Sequence, residues 1–303
     1  LCLLAIAASM LAPRAVGQPL SLKDYGDKKP GPGTSFIQSL AQDGDGYIWV
    51  VASEGIFRWD GSQFHSYPEV NDAGSGWFAV RVDSNGAVWI FAPDQVMRYT
   101  GTHFAVVPVE GKGRIDSPNA VLANPNGGWT IGTRQGVQIL SPLDDEKWVA
   151  RPAEFSATGQ PASGKRVPFV ARSRANPKAL WFYCEQSICH WDGSVIETFD
   201  ESRGVPKGLW VAVLEQEDGT VWARSGASLL KRAPRANRFT TVVEYASQLN
   251  SIASLTPLGR SDIGVTTSNG FSVYHADGSP PLVLSSQVGL AVNGSTVAMV
   301  DRE

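Results

Sequence analysis

Short apolar segments recur along the chain, and polar turns that contain glycine separate them. The segments at 46–51 and 220–223 are examples, and each carries a tryptophan among β-branched or small residues. Runs of this kind, bounded by Asp-Gly or Asn-Gly turns, predict β-strands joined by tight hairpins. After residue 17, no stretch of about twelve or more residues shows the apolar period of a helix. The chain is therefore predicted to be all-β.

One tryptophan position recurs at nearly constant spacing. In most copies a turn glycine precedes the tryptophan by three residues, and a second turn, an apolar pair, an aromatic residue and a closing glycine follow it. Successive copies are 40, 40, 52 and 41 residues apart, and a sixth copy, 42 residues further on, has glycine instead of tryptophan. These positions are Trp49, Trp89, Trp129, Trp181, Trp222 and Gly264. Five of the 10 tryptophans are thus one structural position.

The repeat predicts a β-propeller. A four-stranded unit of about 40 residues cannot bury both sheet faces alone, whereas units arranged radially bury them against each other. The indole is expected in the wedge between neighbouring blades. Residues 20–25 resemble the end of a copy and are expected to form an outermost strand beside the last blade. Residues 288–303 resemble the start of a seventh copy, so 18–303 is predicted to hold six complete four-stranded antiparallel blades and a remnant of a ring of about seven.

The first 17 residues are predicted to be part of a secretory signal peptide. An apolar run over 1–8 is followed by Ala15-Val16-Gly17, which has small residues where a signal peptidase cleaves. The run is far shorter than the roughly 20 apolar residues of a membrane span. The sequence therefore predicts export, and an extracytoplasmic or periplasmic location.

Export bears on the cysteines, because disulfides persist outside the cytoplasm. Cys2 lies in the predicted signal, which leaves Cys184 and Cys189 with four residues between them. They are predicted on adjacent strands of the fourth blade, where they either form a disulfide across the hairpin or remain two buried thiols. A zinc site is not expected, since only His190 lies near them and zinc takes four ligands.

Charge excludes one class of partner. The 303 residues include 26 Lys and Arg against 29 Asp and Glu, which gives a formal net charge of −3 and a pI near 5.9. A chain without a basic excess lacks the field that holds a phosphate backbone, so nucleic acid is not an expected partner. Hydrophobic residues make up 43% of the chain, which is enough for an ordinary core.

The repeat follows the pattern D-x-D-G-x-x-W, then G-[IL]-x-R-[WY]-x-G. The first copy matches it at 43–49 and 55–61, the second at 83–89 and the fifth at 217–222. The third copy lacks one turn residue, the fourth lacks the glycine, and the sixth lacks the tryptophan. This pattern resembles the two-component regulator propeller repeat.

The resemblance implies that the segment is the extracytoplasmic sensor region of a membrane receptor. In that family, propellers precede a membrane helix and a cytoplasmic histidine kinase or diguanylate cyclase module. The receptor would then be anchored by a helix downstream of this segment, and a homodimer of the full receptor is one expected form. The resemblance also implies that the segment itself is not an enzyme.

Residues with catalytic or metal-binding chemistry are scattered along the sequence. The Asp-Gly-Asp-Gly run at 43–46 resembles the start of a calcium loop, but such a loop needs further ligands and a terminal Glu. The same Asp/Gly pair recurs in other copies, so we interpret it as a structural turn. The histidines fall late in separate copies, toward outer strands that do not converge: His65, His103, His190 and His275. No catalytic residue, metal or cofactor is therefore predicted.

The remaining chemistry lies in turns expected at one end of the propeller channel. Turns between second and third strands, and connections between blades, gather there. Unlike side chains occupy these equivalent positions, and two tryptophans stand where inner strands begin. The candidates are Glu54, Asp94, Gln95, Arg134, Glu185, Asn269, Trp77 and Trp210. Such groups suit an oligosaccharide, another small molecule, or a peptide or protein, whereas the two tryptophans could instead pack between blades.

The sequence as a whole predicts a ligand-sensing propeller of a transmembrane signalling receptor. One alternative is a secreted propeller enzyme of the lyase or quinoprotein kind. The other is a secreted scaffold for protein interactions. The enzyme alternative needs histidine, acidic or metal-binding side chains that converge at one end of the channel, and the spacing of the histidines disfavours it.

Overall fold

The computed structural model describes residues 30–33, 36–68, 70, 76, 79–144, 147–155, 165–245, 254–267, 270–284 and 297–300. Within them, six sheets follow one another along the chain, each built from consecutive antiparallel strands. The predicted signal peptide at 1–17 and the predicted outermost strand at 20–25 lie outside the described residues. So do Trp77 and Asn269.

Each sheet is one blade, in which four consecutive strands lie in chain order from the channel to the outer edge. The first blade contains β1 (Ile37–Gln42), β2 (Ile48–Ala52), β3 (Gly55–Trp59) and β4 (Phe64–Ser66). The second contains β5 (Ala79–Val82), β6 (Val88–Phe91), β7 (Val96–Tyr99) and β8 (Phe104–Val106). The third contains β9 (Val109–Glu110), β10 (Val121–Ala123), β11 (Trp129–Thr133), β12 (Gly136–Pro142) and β13 (Trp148–Pro152).

The other three blades follow the same plan. The fourth contains β14 (Val170–Arg172), β15 (Leu180–Cys184), β16 (Ser187–Trp191) and β17 (Ile196–Phe199). The fifth contains β18 (Trp210–Glu215), β19 (Val221–Ser225), β20 (Ser228–Arg232) and β21 (Thr240–Glu244). The sixth contains β22 (Leu255–Leu258), β23 (Asp262–Thr267), β24 (Gly270–Tyr274) and β25 (Leu282–Leu284). Short 3₁₀ turns lie at Pro118–Ala120 and Glu201–Arg203, and the described residues contain no α-helix.

The innermost strands lie side by side around the channel, in the order β1, β5, β10, β14, β18 and β22. The prediction of an all-β propeller with six four-stranded antiparallel blades is confirmed. The third blade departs from it by one strand, because β9 adds to the outer edge in parallel with β13, Val109 facing Trp148. A strand of two residues carries no apolar period, so the sequence could not predict it.

The Asp and Trp of the repeat form one hydrogen-bonded unit. In the first blade, Asp43 Oδ1 accepts from the backbone N–H groups of Asp45 and Tyr47, at 3.1 and 3.0 Å. Asp43 Oδ2 accepts from Trp49 Nε1 at 2.7 Å. Asp83 makes the same three kinds of contact in the second blade. One carboxylate therefore closes the turn and satisfies a buried indole, which accounts for the spacing of the motif.

The repeated tryptophans pack between blades, as the sequence predicts. All five are at most 1% exposed: Trp49, Trp89, Trp129, Trp181 and Trp222. Trp49 of the first blade contacts Tyr99 and Phe104 of the second, with ring centroids 4.8 and 5.6 Å apart. Trp89 of the second blade contacts Trp129 of the third at 5.7 Å. Burial of these large rings against the next blade stabilises the radial arrangement.

The sixth blade shows how its copy departs from the repeat. The Phe271 ring of β24 lies so close to Gly264 of β23 that a Cβ at position 264 would overlap the ring. The ring thus lies beside the position that tryptophan holds in the other copies. Beyond this blade, Thr256 Oγ1 donates to the Ala298 carbonyl at 2.9 Å. Ser39 of the first blade makes the equivalent contact with the inner strand of the second. Residues 297–300 thus lie where a next inner strand would begin, whereas the rest of the predicted remnant at 288–303 lies outside the described residues.

Candidate functional site

One end of the channel, called the mouth below, is formed by the turns between second and third strands and by the connections that enter each new blade. Backbone hydrogen bonds attach these connections to the turn of the preceding blade. They join Ile115 N to Pro93 O at 3.1 Å, Val167 N to Thr133 O at 2.9 Å, and Gly208 N to Gln186 O at 3.2 Å. Side chains on different blades are therefore held at fixed positions around the mouth.

The connection that enters the third blade is anchored inside the channel. Arg81 of β5 donates from Nε to the Val121 carbonyl at 3.0 Å and from Nη1 to Ser39 Oγ at 2.9 Å. Burial lowers the pKa of Arg81 to about 10. Asn119 Nδ2 donates to the Val211 carbonyl of the fifth blade at 3.0 Å. The connection is thus tied to the first, second and fifth blades just before its strand begins.

The same connection carries the centre of a charged cluster. The Asp116 carboxylate, 12% exposed, lies 2.8 Å from Arg134 Nε, 3.4 Å from Arg166 Nε and 3.7 Å from Arg114 Nε. These three arginines are 43–58% exposed, and they come from two connections and the β11–β12 turn. The hydrogen bond to Asp116 raises the pKa of Arg134 above its usual value. One carboxylate therefore lies within ion-pair distance of three guanidinium groups.

Further charges surround this centre. Arg114 Nη1 donates to Asp94 Oδ2 at 2.6 Å, and Lys165 pairs with Glu185. Lys112 Nζ donates to the Pro93 carbonyl at 2.7 Å, and burial lowers its pKa to about 8, against the opposing effect of Asp94. We call this set the mouth cluster: Lys112, Arg114, Arg134, Lys165, Arg166, Asp94, Asp116 and Glu185. Five cations and three anions leave two positive charges in excess, on a chain whose net charge is −3.

The structure brings together only some of the site residues expected from sequence. Asp94, Arg134 and Glu185 belong to the mouth cluster, and Gln95 follows Asp94 in the same turn. Glu54 lies exposed in the equivalent turn of the first blade. The other two candidates, Trp77 and Asn269, lie outside the described residues.

The structure contradicts the expectation that Trp210 lines a ligand site at the mouth. Trp210 is 1% exposed, within the core shared by the fourth and fifth blades. Its indole N–H donates to the Pro206 carbonyl at 3.1 Å. The indole is therefore part of the packing between blades, and it does not present a face to a ligand at the mouth.

Sequence reasoning missed the residues on the connections. Lys112, Arg114 and Asp116 alternate within five residues, and Lys165-Arg166 ends the insertion, so charge patterning could have singled out both segments. Glycine is required at position 113, between Lys112 and Arg114, because a Cβ there would lie 2.8 Å from Thr133 Oγ1 and 2.9 Å from Thr133 Cβ. That close approach brings the connection against the β11–β12 turn.

Cys184 of β15 and Cys189 of β16 form a disulfide, with Cα atoms 5.8 Å apart. They flank the turn in which Glu185 and Gln186 have φ values of +45° and +70°. These left-handed conformations are those of a tight hairpin turn. The disulfide therefore closes the turn that carries Glu185 toward the mouth.

The histidines and the calcium-like turn do not converge. His65 pairs with Asp60 and His275 with Asp262, each at 2.8 Å. His190 lies on the Trp181 ring, and burial lowers its pKa. Among the described residues, no group of three or more His, Cys, Asp or Glu is placed to hold a metal ion. None of the helical segments in that part of the chain is long and apolar enough to cross a membrane.

A second concavity lies on the outer edge of the fourth blade. It has a volume of about 580 Å³, and its lining includes His190, Glu197, Thr198 and Arg203. Arg203 pairs with Glu197 across it. Its lining comes from a single blade and the 3₁₀ turn after it, so it lacks the convergence of several blades found at the mouth.

Comparison with solved structures shows that this chain has the fold of known β-propellers. Virginiamycin B lyase from Staphylococcus aureus matches with 15% identity and a TM-score of 0.60, over 83% of this chain and 85% of the lyase. The extracellular domain of the hybrid two-component system BT4673 from B. thetaiotaomicron matches with 17% identity and a TM-score of 0.58, over 83% of this chain. YCF48 bound to D1 peptide matches with 16% identity, a TM-score of 0.59 and 82% of both chains.

These matches do not decide between functions. No family model matches the sequence, and no curated protein is similar to it. This chain spans 33% of the BT4673 extracellular domain, whereas it spans 85% of the lyase. An enzyme, the extracellular domain of a two-component system and a peptide complex share this architecture, so function has to be argued from the site.

Proposed function

We propose that this chain is the ligand-recognition region of an extracytoplasmic sensor, related to the two-component regulator propeller family, and that it binds its ligand at the mouth. The mouth cluster carries the proposal. Its charged side chains come from two connections and three turns, and the backbone bonds of the repeat hold them in place. A rigid framework with unlike side chains at equivalent turns is suited to selective recognition.

The arrangement favours recognition over turnover. The described histidines lie in four blades, on or beside the outer two strands, so none stands beside the mouth cluster as a proton donor or acceptor. The acidic side chains of the cluster are each paired with a cation. Such groups orient a ligand, whereas general acid–base catalysis needs a group poised to exchange a proton with it.

The test is a binding screen of the full chain with neutral oligosaccharides, short peptides and small organic acids, read by thermal shift and then by calorimetry. A ligand bound at the mouth loses affinity in Glu54→Ala or Arg134→Ala. Arg235→Gln, in the exposed β20–β21 turn at the opposite end, serves as the control and retains it. Mass spectrometry of the recovered ligand separates a sensor from a lyase. A sensor returns the ligand unchanged, whereas accumulation of a product would indicate lyase activity and contradict the proposal.

A further inference from the structure

The mouth cluster has more cationic donors than its own carboxylates occupy. Arg134 and Arg166 both approach the same oxygen, Asp116 Oδ2, through their Nε atoms. Among the described residues, no hydrogen bond or ion pair engages the terminal Nη groups of either side chain. The Arg134 and Arg166 side chains are 58% and 43% exposed, so a ligand at the mouth can reach them.

We propose that the mouth cluster binds a small organic anion through a carboxylate, sulfate or phosphate group, held between the guanidinium groups of Arg134 and Arg166. This inference rests on the proposed recognition function and names its ligand class. Guanidinium forks match the geometry of such oxyanions and form charge-assisted hydrogen bonds with them. The excess of two positive charges in the cluster favours an anion over a cation or a neutral group.

Asp116 is the positioning residue of this site. Its nearly buried carboxylate lies 2.8 Å from Arg134 Nε and 3.4 Å from Arg166 Nε, so it holds the two guanidinium groups beside each other. Ordering two flexible side chains before the ligand arrives reduces the entropy lost on binding. Lys112 is half-buried, its Nζ donates to the Pro93 carbonyl at 2.7 Å, and it adds positive charge to the cluster.

The test is calorimetric titration of the full chain with inorganic sulfate, inorganic phosphate and citrate, which separate the three oxyanion types. At least one probe is expected to bind saturably, and Arg134→Gln and Arg166→Gln each weaken it by about tenfold. Arg134→Lys keeps the charge but loses the fork, so it recovers only part of the affinity. Arg235→Gln is the matched control and leaves affinity unchanged, and thermal melts confirm that each variant is folded.

Two results would overturn the inference: no saturable binding of any probe, or affinities unchanged in both glutamine variants. The experiment distinguishes a wrong ligand class from a wrong binding site. If neutral oligosaccharides or peptides bind and Glu54→Ala or Arg134→Ala weakens them while the anions do not bind, recognition at the mouth stands and the anion class is wrong. If no ligand is sensitive to mouth substitutions, both proposals fail.

Discussion

Removing the carboxylate of Asp43 should destabilise the first blade without unfolding the chain. Asp43→Ala leaves the Trp49 indole N–H buried without an acceptor, which costs about 1–3 kcal/mol, and it removes two partly buried turn bonds worth about 0.5–1 kcal/mol each. The expected loss is about 2–5 kcal/mol. The fold tolerates such a defect, because Trp129 Nε1 of the third blade is buried without a hydrogen-bond partner.

Thermal unfolding followed by calorimetry measures this loss. A chain of this size shifts its Tm by about 2–4 °C per kcal/mol, so Asp43→Ala should lower Tm by about 4–20 °C. Asp45→Ala is the matched control, since its side chain is exposed in the same turn and its backbone N–H bond is kept. In a Trp49→Phe background, the cost of Asp43→Ala should fall by about 1–2 kcal/mol. Equal effects of the two alanine substitutions would refute the role given to this carboxylate.

Three further results are expected. Arg224 is fully buried, and its Nε and Nη2 lack partners although Nη1 donates to the Thr266 carbonyl at 2.6 Å. The first three blades have Val51, Phe91 and Ile131 at its position. Arg224→Met should therefore raise stability by about 1–3 kcal/mol in denaturant unfolding, and a loss would contradict this. Reduction of Cys184–Cys189 should lower stability by about 2 kcal/mol and release two titratable thiols, whereas the double serine variant should not respond to reductant. Sulfate affinity should fall as pH rises through about 8, where Lys112 loses its proton between Asp94 and Arg114, and Lys112→Met should flatten that profile.

The fold could be predicted because its determinants are local and repeated. A strand, a turn and a tryptophan recur within each copy, and the Asp43–Trp49 unit closes within seven residues. Periodicity of this kind survives in the sequence even when the sixth copy replaces its tryptophan with Gly264 and places Phe271 beside it. The number and order of blades follow from counting such units.

The site was less predictable because its contacts join distant segments. Arg134 meets Asp116 from a turn 18 residues away, and Lys165 meets Glu185 across 20 residues. No period in the sequence encodes such pairs, although the alternating charges near Asp116 indicate an unusual connection. The sequence left two roles open for Trp210 for the same reason, since its burial depends on the fourth blade packing against the fifth.

Hydrogen exchange measured by mass spectrometry, with and without a bound ligand from the screen, tests the central claim most directly. Recognition at the mouth predicts slower exchange in the connection at 111–117, in the β11–β12 turn at 133–136 and at 165–167. Exchange in the β20–β21 turn at the opposite end should not change. Protection confined to 190–203, along the outer edge of the fourth blade, would place the ligand in the other concavity and contradict the account.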